Sequence, residues 1–151
     1  MNPSARRVAA RFAAKRPRLK VQKSQAGLSA EISVTGVVDG EEMYLMLRDM
    51  TGHQLRHCES SVEALRERVF KSRNVPIWRV VDVQVPEQAQ GKGYGKMLYE
   101  RALKAAKPAI IVTGGCTGMG TSSAAFRVWK SLSRTYKSEG SSPNDFAIAV
   151  P

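Results

Sequence analysis

Val80–Ala106 reads VVDVQVPEQAQGKGYGKMLYERALKAA, and the way it changes period decides the fold class. Val81, Val83 and Val85 alternate with Asp82 and Gln84, which predicts a strand with one apolar and one polar face. Pro86 ends that strand, and Gly91, Gly93 and Gly95 follow within a few residues. Met97, Leu98, Arg101, Ala102 and Ala105 then recur at helical spacing. A strand running through a glycine-rich loop into a helix aims the free N–H groups of the first helical turn back at the loop. That arrangement suits a phosphate or pyrophosphate.

Gln90-Gly91-Lys92-Gly93-Tyr94-Gly95 satisfies the pattern Gln/Arg-x-x-Gly-x-Gly/Ala, and here the chain resembles the GNAT superfamily of N-acetyltransferases. The resemblance implies acetyl-coenzyme A as co-substrate and an amine, of a protein or a small molecule, as acceptor. It implies that the backbone from Gln90 to Lys96 (Gln90, Gly91, Lys92, Gly93, Tyr94, Gly95 and Lys96) holds the pyrophosphate. The strand residues Val83, Gln84 and Val85 would pair through their backbone with the pantetheine arm and supply an N–H for the oxyanion. Pro86 stands four residues before Gln90 where the family usually has three, so the turn is longer by one. A second landmark, Asn-x-x-Ala-x-x-x-Tyr, is matched at Ala125, with Ser122 in the Asn position and Trp129 in that of the Tyr that reprotonates the thiolate. An indole N–H cannot fill that proton-donating role. Asp82 is the expected base, and Tyr94, Tyr99 or Tyr136 the alternatives for the acid. The implied fold is a mixed, mostly antiparallel sheet flanked by helices (α/β, α+β), with one or two helices directly after the first strand and two strands after the last helix.

A rival pattern begins at Ala109. Ala109–Val112 reads as a buried strand, and Thr113–Gly120 fits Thr-Gly-x-x-x-Gly-x-Gly, the nicotinamide-binding motif of short-chain dehydrogenases. In that fold the motif follows the first strand and several βα units come after it. Only Thr121–Pro151 follows here, so the expected role is a βα connection bordering the coenzyme site.

Charge divides the chain. The net charge is +11 over 151 residues, yet no acidic residue precedes Glu31, and the eight Lys and Arg of residues 1–23 leave only +3 for the rest. Residues 1–27 therefore read as a basic N-terminal arm, partly helical or disordered, with Ser4–Lys15 as an amphipathic helix stopped by Pro17. Such an arm suits a nucleic acid, an anionic surface or a protein partner. Residues 28–151 read as one domain, since 42% hydrophobic content is enough for a single core. No apolar run approaches the roughly 20 residues of a transmembrane helix. Cys58 and Cys116 are far apart in sequence and read as reduced thiols of a cytoplasmic protein, and His53 and His57 as surface residues with no metal site.

The remaining elements follow by pattern. Leu28–Val38 and Met43–Met50 predict a hairpin turning at Asp39-Gly40. Glu59–Ser72 predicts a helix capped by Ser60 or Ser61, with Val62, Leu65, Val69 and Phe70 inward. Ser122 to about Tyr136 predicts another, and Asp145–Val150 a single last strand, uncovered and open to a homo-oligomeric partner. Two function classes result: an acetyltransferase, or a weak or inactive binding module whose arm contacts nucleic acid or a larger assembly.

Overall fold

A computed structural model describes residues 17–27, 29–51 and 53–151. The helix expected over Ser4–Lys15, and with it most of the basic arm, lies outside the described residues. The described residues form a seven-stranded sheet in the order β1-β2-β3-β4-β5-β7-β6. The strands are β1 Lys20–Ala26, β2 Ser29–Val38, β3 Glu41–Asp49, β4 Ile77–Gln84, β5 Ala109–Val112, β6 Ser138–Ser142 and β7 Asp145–Val150. All neighbours are antiparallel except β4 and β5. Among the described residues three α-helices accompany it: α1 Glu59–Leu65, extended by a wider turn over Arg66–Phe70, α2 Tyr94–Ala106 and α3 Ser123–Leu132.

Several expectations meet their elements. The β2–β3 turn pairs Val38 with Glu41, and Asp39 and Gly40 both take positive φ (51° and 76°), as a two-residue hairpin of matching twist requires. On α2 the buried positions are Leu98, Tyr99, Ala102, Leu103 and Ala106; Met97 is half-buried and Arg101 exposed, so the apolar face is rotated from the expected one.

Three others are corrected. First, residues 20–26 are not arm but strand β1, paired along its whole length with β2. Second, α1 has no serine cap: Cys58 holds the N-cap position without a side-chain bond, and Ser61 instead donates to Asp145 Oδ1 at 2.6 Å. Third, β7 is not an open terminal strand, because β6 covers it on one side and β5 on the other. The reason for expecting a partner to complete the sheet therefore falls away.

The helices divide the core. One cluster lies under α2 and α3 and joins Leu45, Leu47, Leu98, Leu103, Trp129 and Ile148; the other lies under α1 and joins Leu65, Ile77, Ile110, Val112 and Ala149. Cys58 and Cys116 fall in the second, both fully buried, and the Cys116 thiol donates to the Phe146 carbonyl at 3.5 Å. The neighbouring Cys116 thiol, and then burial, hold the Cys58 thiol far above its ordinary range. Neither cysteine should react with a thiol-specific aromatic disulfide in the native protein, and both should react in denaturant; rapid native labelling would show that this cluster opens.

Candidate functional site

The strand β4 carries the site because it is paired on both sides only at its start. Against β5 it registers just Ile77, Trp78 and Arg79, opposite Ile110, Ile111 and Val112. There β5 ends and the chain turns away through a 3-10 turn, Gly114–Thr117. The backbone of Gly114 closes the root of the opening: a Cβ there would lie 3.4 Å from the Val80 carbonyl oxygen. Beyond it β4 continues to Gln84 with hydrogen bonds to β3 alone, so half of its main-chain N–H and C=O groups face an open edge.

A bulge sets which side chains face where. The β3–β4 register shifts so that Met46 opposes Asp82 and Leu47 opposes Val80, leaving Val81 as the extra residue. Val80, Val83 and Val85 thereby turn to the α2–α3 side and pack on the core. The simple alternation of Val81, Val83 and Val85 expected from sequence is broken at Val81.

After β4, Glu87–Ala89 makes a 3-10 turn, and the Gln90 side chain closes it by donating from Nε2 to the Val85 carbonyl at 3.1 Å. This is how the turn accommodates its additional residue after Pro86. Gly91 and Gly93 take φ of +78° and +86°, a region that disfavours every residue but glycine. Gly93 caps α2 with no side chain, and the first helical bond runs from Met97 N–H to the Gly93 carbonyl. The N–H groups of Tyr94, Gly95 and Lys96 ahead of it have no acceptor within the helix, and they face the loop.

A cleft of about 540 Å³ lies where this loop, the free half of β4 and the start of α3 meet. Of the expected cofactor residues, Val83, Val85, Gln90, Gly91, Gly93, Tyr94, Gly95, Lys96, Ser122 and Ala125 line it. Gln84 and Lys92 do not; both are exposed, and Gln84 turns with Asp82 to the opposite face of β4. Ser122 is used as the N-cap of α3, accepting the Ala125 N–H at 3.1 Å. Sequence reasoning missed Ala124, Arg127 and Val128, which belong to the cleft wall because Ser122 starts α3 at its rim. Their spacing from Ser122 and Ala125 was the available signal.

Gly95 is the informative position. Its backbone is helical, and a Cβ there would meet only Val128 Cγ2 at 3.9 Å, an ordinary contact. A glycine in a helix costs about 1 kcal/mol relative to alanine. Neither φ nor packing within the protein calls for one here.

The three expected catalytic residues are not brought together. Asp82 is exposed and accepts the Tyr44 O–H at 2.6 Å; that bond holds the Tyr44 phenol above its ordinary value. Trp129 is only 1% exposed, with its ring centroid 5.6 Å from that of Tyr99 and 6.0 Å from that of Phe146, both edge-on. It is a core residue and does not line the cleft. Tyr136 is half-buried against the core, away from the cleft. Of the tyrosines weighed as acid, Tyr94 and Tyr99 do line it. Burial pushes the Tyr99 phenol up to about 12, the Trp129 indole partly offsetting this, so Tyr99 is a neutral O–H donor throughout the physiological range.

The Thr113–Gly120 segment is tied to its neighbours in the chain and in the sheet. Thr113 Oγ1 donates to the Pro143 carbonyl at 2.8 Å, and Gly115 N–H donates to Thr121 Oγ1 at 3.0 Å. Gly115 is glycine for packing, since a Cβ would fall 2.2 Å from the Pro143 carbonyl oxygen. No helix begins directly at this loop, because α3 starts only at Ser123. Among the described residues no group of His, Cys, Asp and Glu is arranged to hold a metal, and no helix is long and apolar enough to cross a membrane.

Compared with protein-family models, with curated proteins and with solved structures, the chain shows no significant match.

Proposed function

We propose that the chain is a GNAT-type N-acetyltransferase that moves an acetyl group from acetyl-coenzyme A to an amine. The observation that carries this reading is Gly95, a helical glycine that the protein itself does not need, on the wall of a cleft whose loop presents unsatisfied N–H groups. A ligand that approaches the backbone there explains it, and a pyrophosphate fits the partial positive charge of the α2 start. Lys96 and Arg127 add cationic side chains to the same wall. Two strands after the last helix, β6 and β7, also agree with the resemblance. The element order departs from it: β1 and β2 are consecutive, and the helix expected directly after the first strand stands between β3 and β4 as α1.

When bound, the thioester supplies an activated acetyl group; the chain's own work is positioning and charge. The open edge of β4 takes an extended arm as an added strand, main chain to main chain. Its N–H groups near Val83 stabilise the charge that develops on the carbonyl oxygen. Tyr99, neutral and in the cleft wall, is the proton donor for the departing sulfur, in place of Trp129. Asp82, on the other face of β4 and bound by the Tyr44 O–H, receives the amine's proton through water. A non-catalytic binding module keeps the same cleft, and the burial of Trp129 favours it. Turnover separates the two: acetyl-coenzyme A with a panel of primary amines should release free thiol in proportion to amine. Coenzyme binding without thiol release for any amine would leave the binding module standing.

A further inference from the structure

On the face of the sheet away from the coenzyme cleft, three arginines converge around a cavity of about 380 Å³. Arg48 and Arg79 stand directly opposite each other on β3 and β4, and Arg56 joins them from the loop before α1. Like charges facing each other across strands are destabilising. One carboxylate is present: Glu31 Oε1 accepts from Arg48 at 2.8 and 3.1 Å. Arg79 has no carboxylate. Its Nη1 donates to Thr117 Oγ1 at 3.2 Å and to the Met119 sulfur, while its Nε is buried with no acceptor among the described residues. Burial, and then the charge of Arg48, pull the Arg79 guanidinium below its ordinary value.

The missing counter-charge cannot come from residues 1–16, 28 or 52, which contain no Asp or Glu. Among the described residues, no carboxylate pairs with Arg79, and its buried Nε is left with an open hydrogen bond. We propose that this pocket binds the anionic end, carboxylate or phosphate, of a small amine acceptor.

Position supports the assignment. Arg79 is the last β4 residue paired with β5, so the pocket abuts the root of the opening in which an acetyl group would lie. Asp82, the expected base, is on the same face of β4 as Arg79. With about 3.3 Å per strand residue, an amine reaching the backbone at Val80 or Val81 lies roughly 3–7 Å along the strand from Arg79. That span suits an amine and an anion joined by a few bonds. The amine half of the proposal rests on the acetyltransferase reading; the anion half does not.

Calorimetry on the full chain without coenzyme tests it, using O-phosphoethanolamine and β-alanine as phosphate and carboxylate probes and ethanolamine as the neutral control. At least one anionic amine should bind tenfold or more above ethanolamine, and which one binds tells phosphate from carboxylate. Arg79→Gln should weaken that binding at least tenfold, and so should Arg56→Gln, whose exposed loop position keeps the test valid if Arg79→Gln fails to fold. Equal binding of all three probes, or unchanged binding in the folded variants, would overturn the proposal. Coenzyme A titrated in parallel keeps the readings apart, since its failure to bind would remove the acetyltransferase and leave the anion site.

Discussion

Trp129→Ala is expected to lower the unfolding free energy by about 3–5 kcal/mol, the usual cost of removing a buried large aromatic side chain. The residue is 1% exposed and its ring meets Tyr99 on α2 and Phe146 on β7 edge-on, so its loss opens a void where two helices and the sheet meet. For a chain of this size the melting temperature should fall by roughly 10 °C or more. The substitution should change coenzyme affinity only through that loss of order. Had Trp129 faced the thioester, as its motif position implies, Trp129→Ala would be nearly neutral for stability and costly for binding. For the same reason Trp129→Tyr should not raise turnover, because a phenol placed there would sit in the core.

Gly95→Asp should do the reverse. The site has room for a Cβ within the protein, and an acidic residue in the first turn of α2 complements the helix dipole, so stability should hold or rise. Coenzyme A affinity should nonetheless fall well beyond tenfold, about 1.4 kcal/mol, since a carboxylate would occupy the approach of the pyrophosphate. Calorimetry on the folded variant reads this directly. Gly93→Asp is a poorer probe, because its φ of +86° penalises any side chain whether or not a ligand binds.

What was legible in the sequence follows from where burial is one-sided. The β2–β3 hairpin, the β4–loop–α2 unit and β7 carry strong periodicity or long apolar runs, because each packs against a core. The two strands that sequence reasoning missed, KVQKSQA and SEGSS, are the edges of the sheet. Edge strands are mostly exposed and are kept polar against unwanted pairing, so no alternation marks them. Ser138–Ser142 was further disguised by Gly140, whose φ is +101° and where a Cβ would fall 1.9 Å from the Asp145 carbonyl oxygen. The Gly91–Gly95 turn into α2 was readable because its requirement is written in backbone: glycines and a helix start. The placement of Asp82 and Trp129 was not, because it depends on which face a side chain turns to. One bulge residue, Val81, puts Asp82 on the face away from the cleft, and two edge-on aromatic rings, Tyr99 and Phe146, hold Trp129 in the core. The Arg48–Arg56–Arg79 pocket draws on three segments separated in sequence, which no local pattern could join.

The most direct test of the account is a coenzyme A titration of the isotopically labelled full chain, followed by backbone amide resonances. Saturable one-to-one binding is predicted, with the largest shifts at Gly91–Lys96 and along Val83–Val85. No binding at millimolar coenzyme A would contradict the central claim. So would shifts confined to Thr113–Gly120, above all if a nicotinamide cofactor produced them more strongly than coenzyme A.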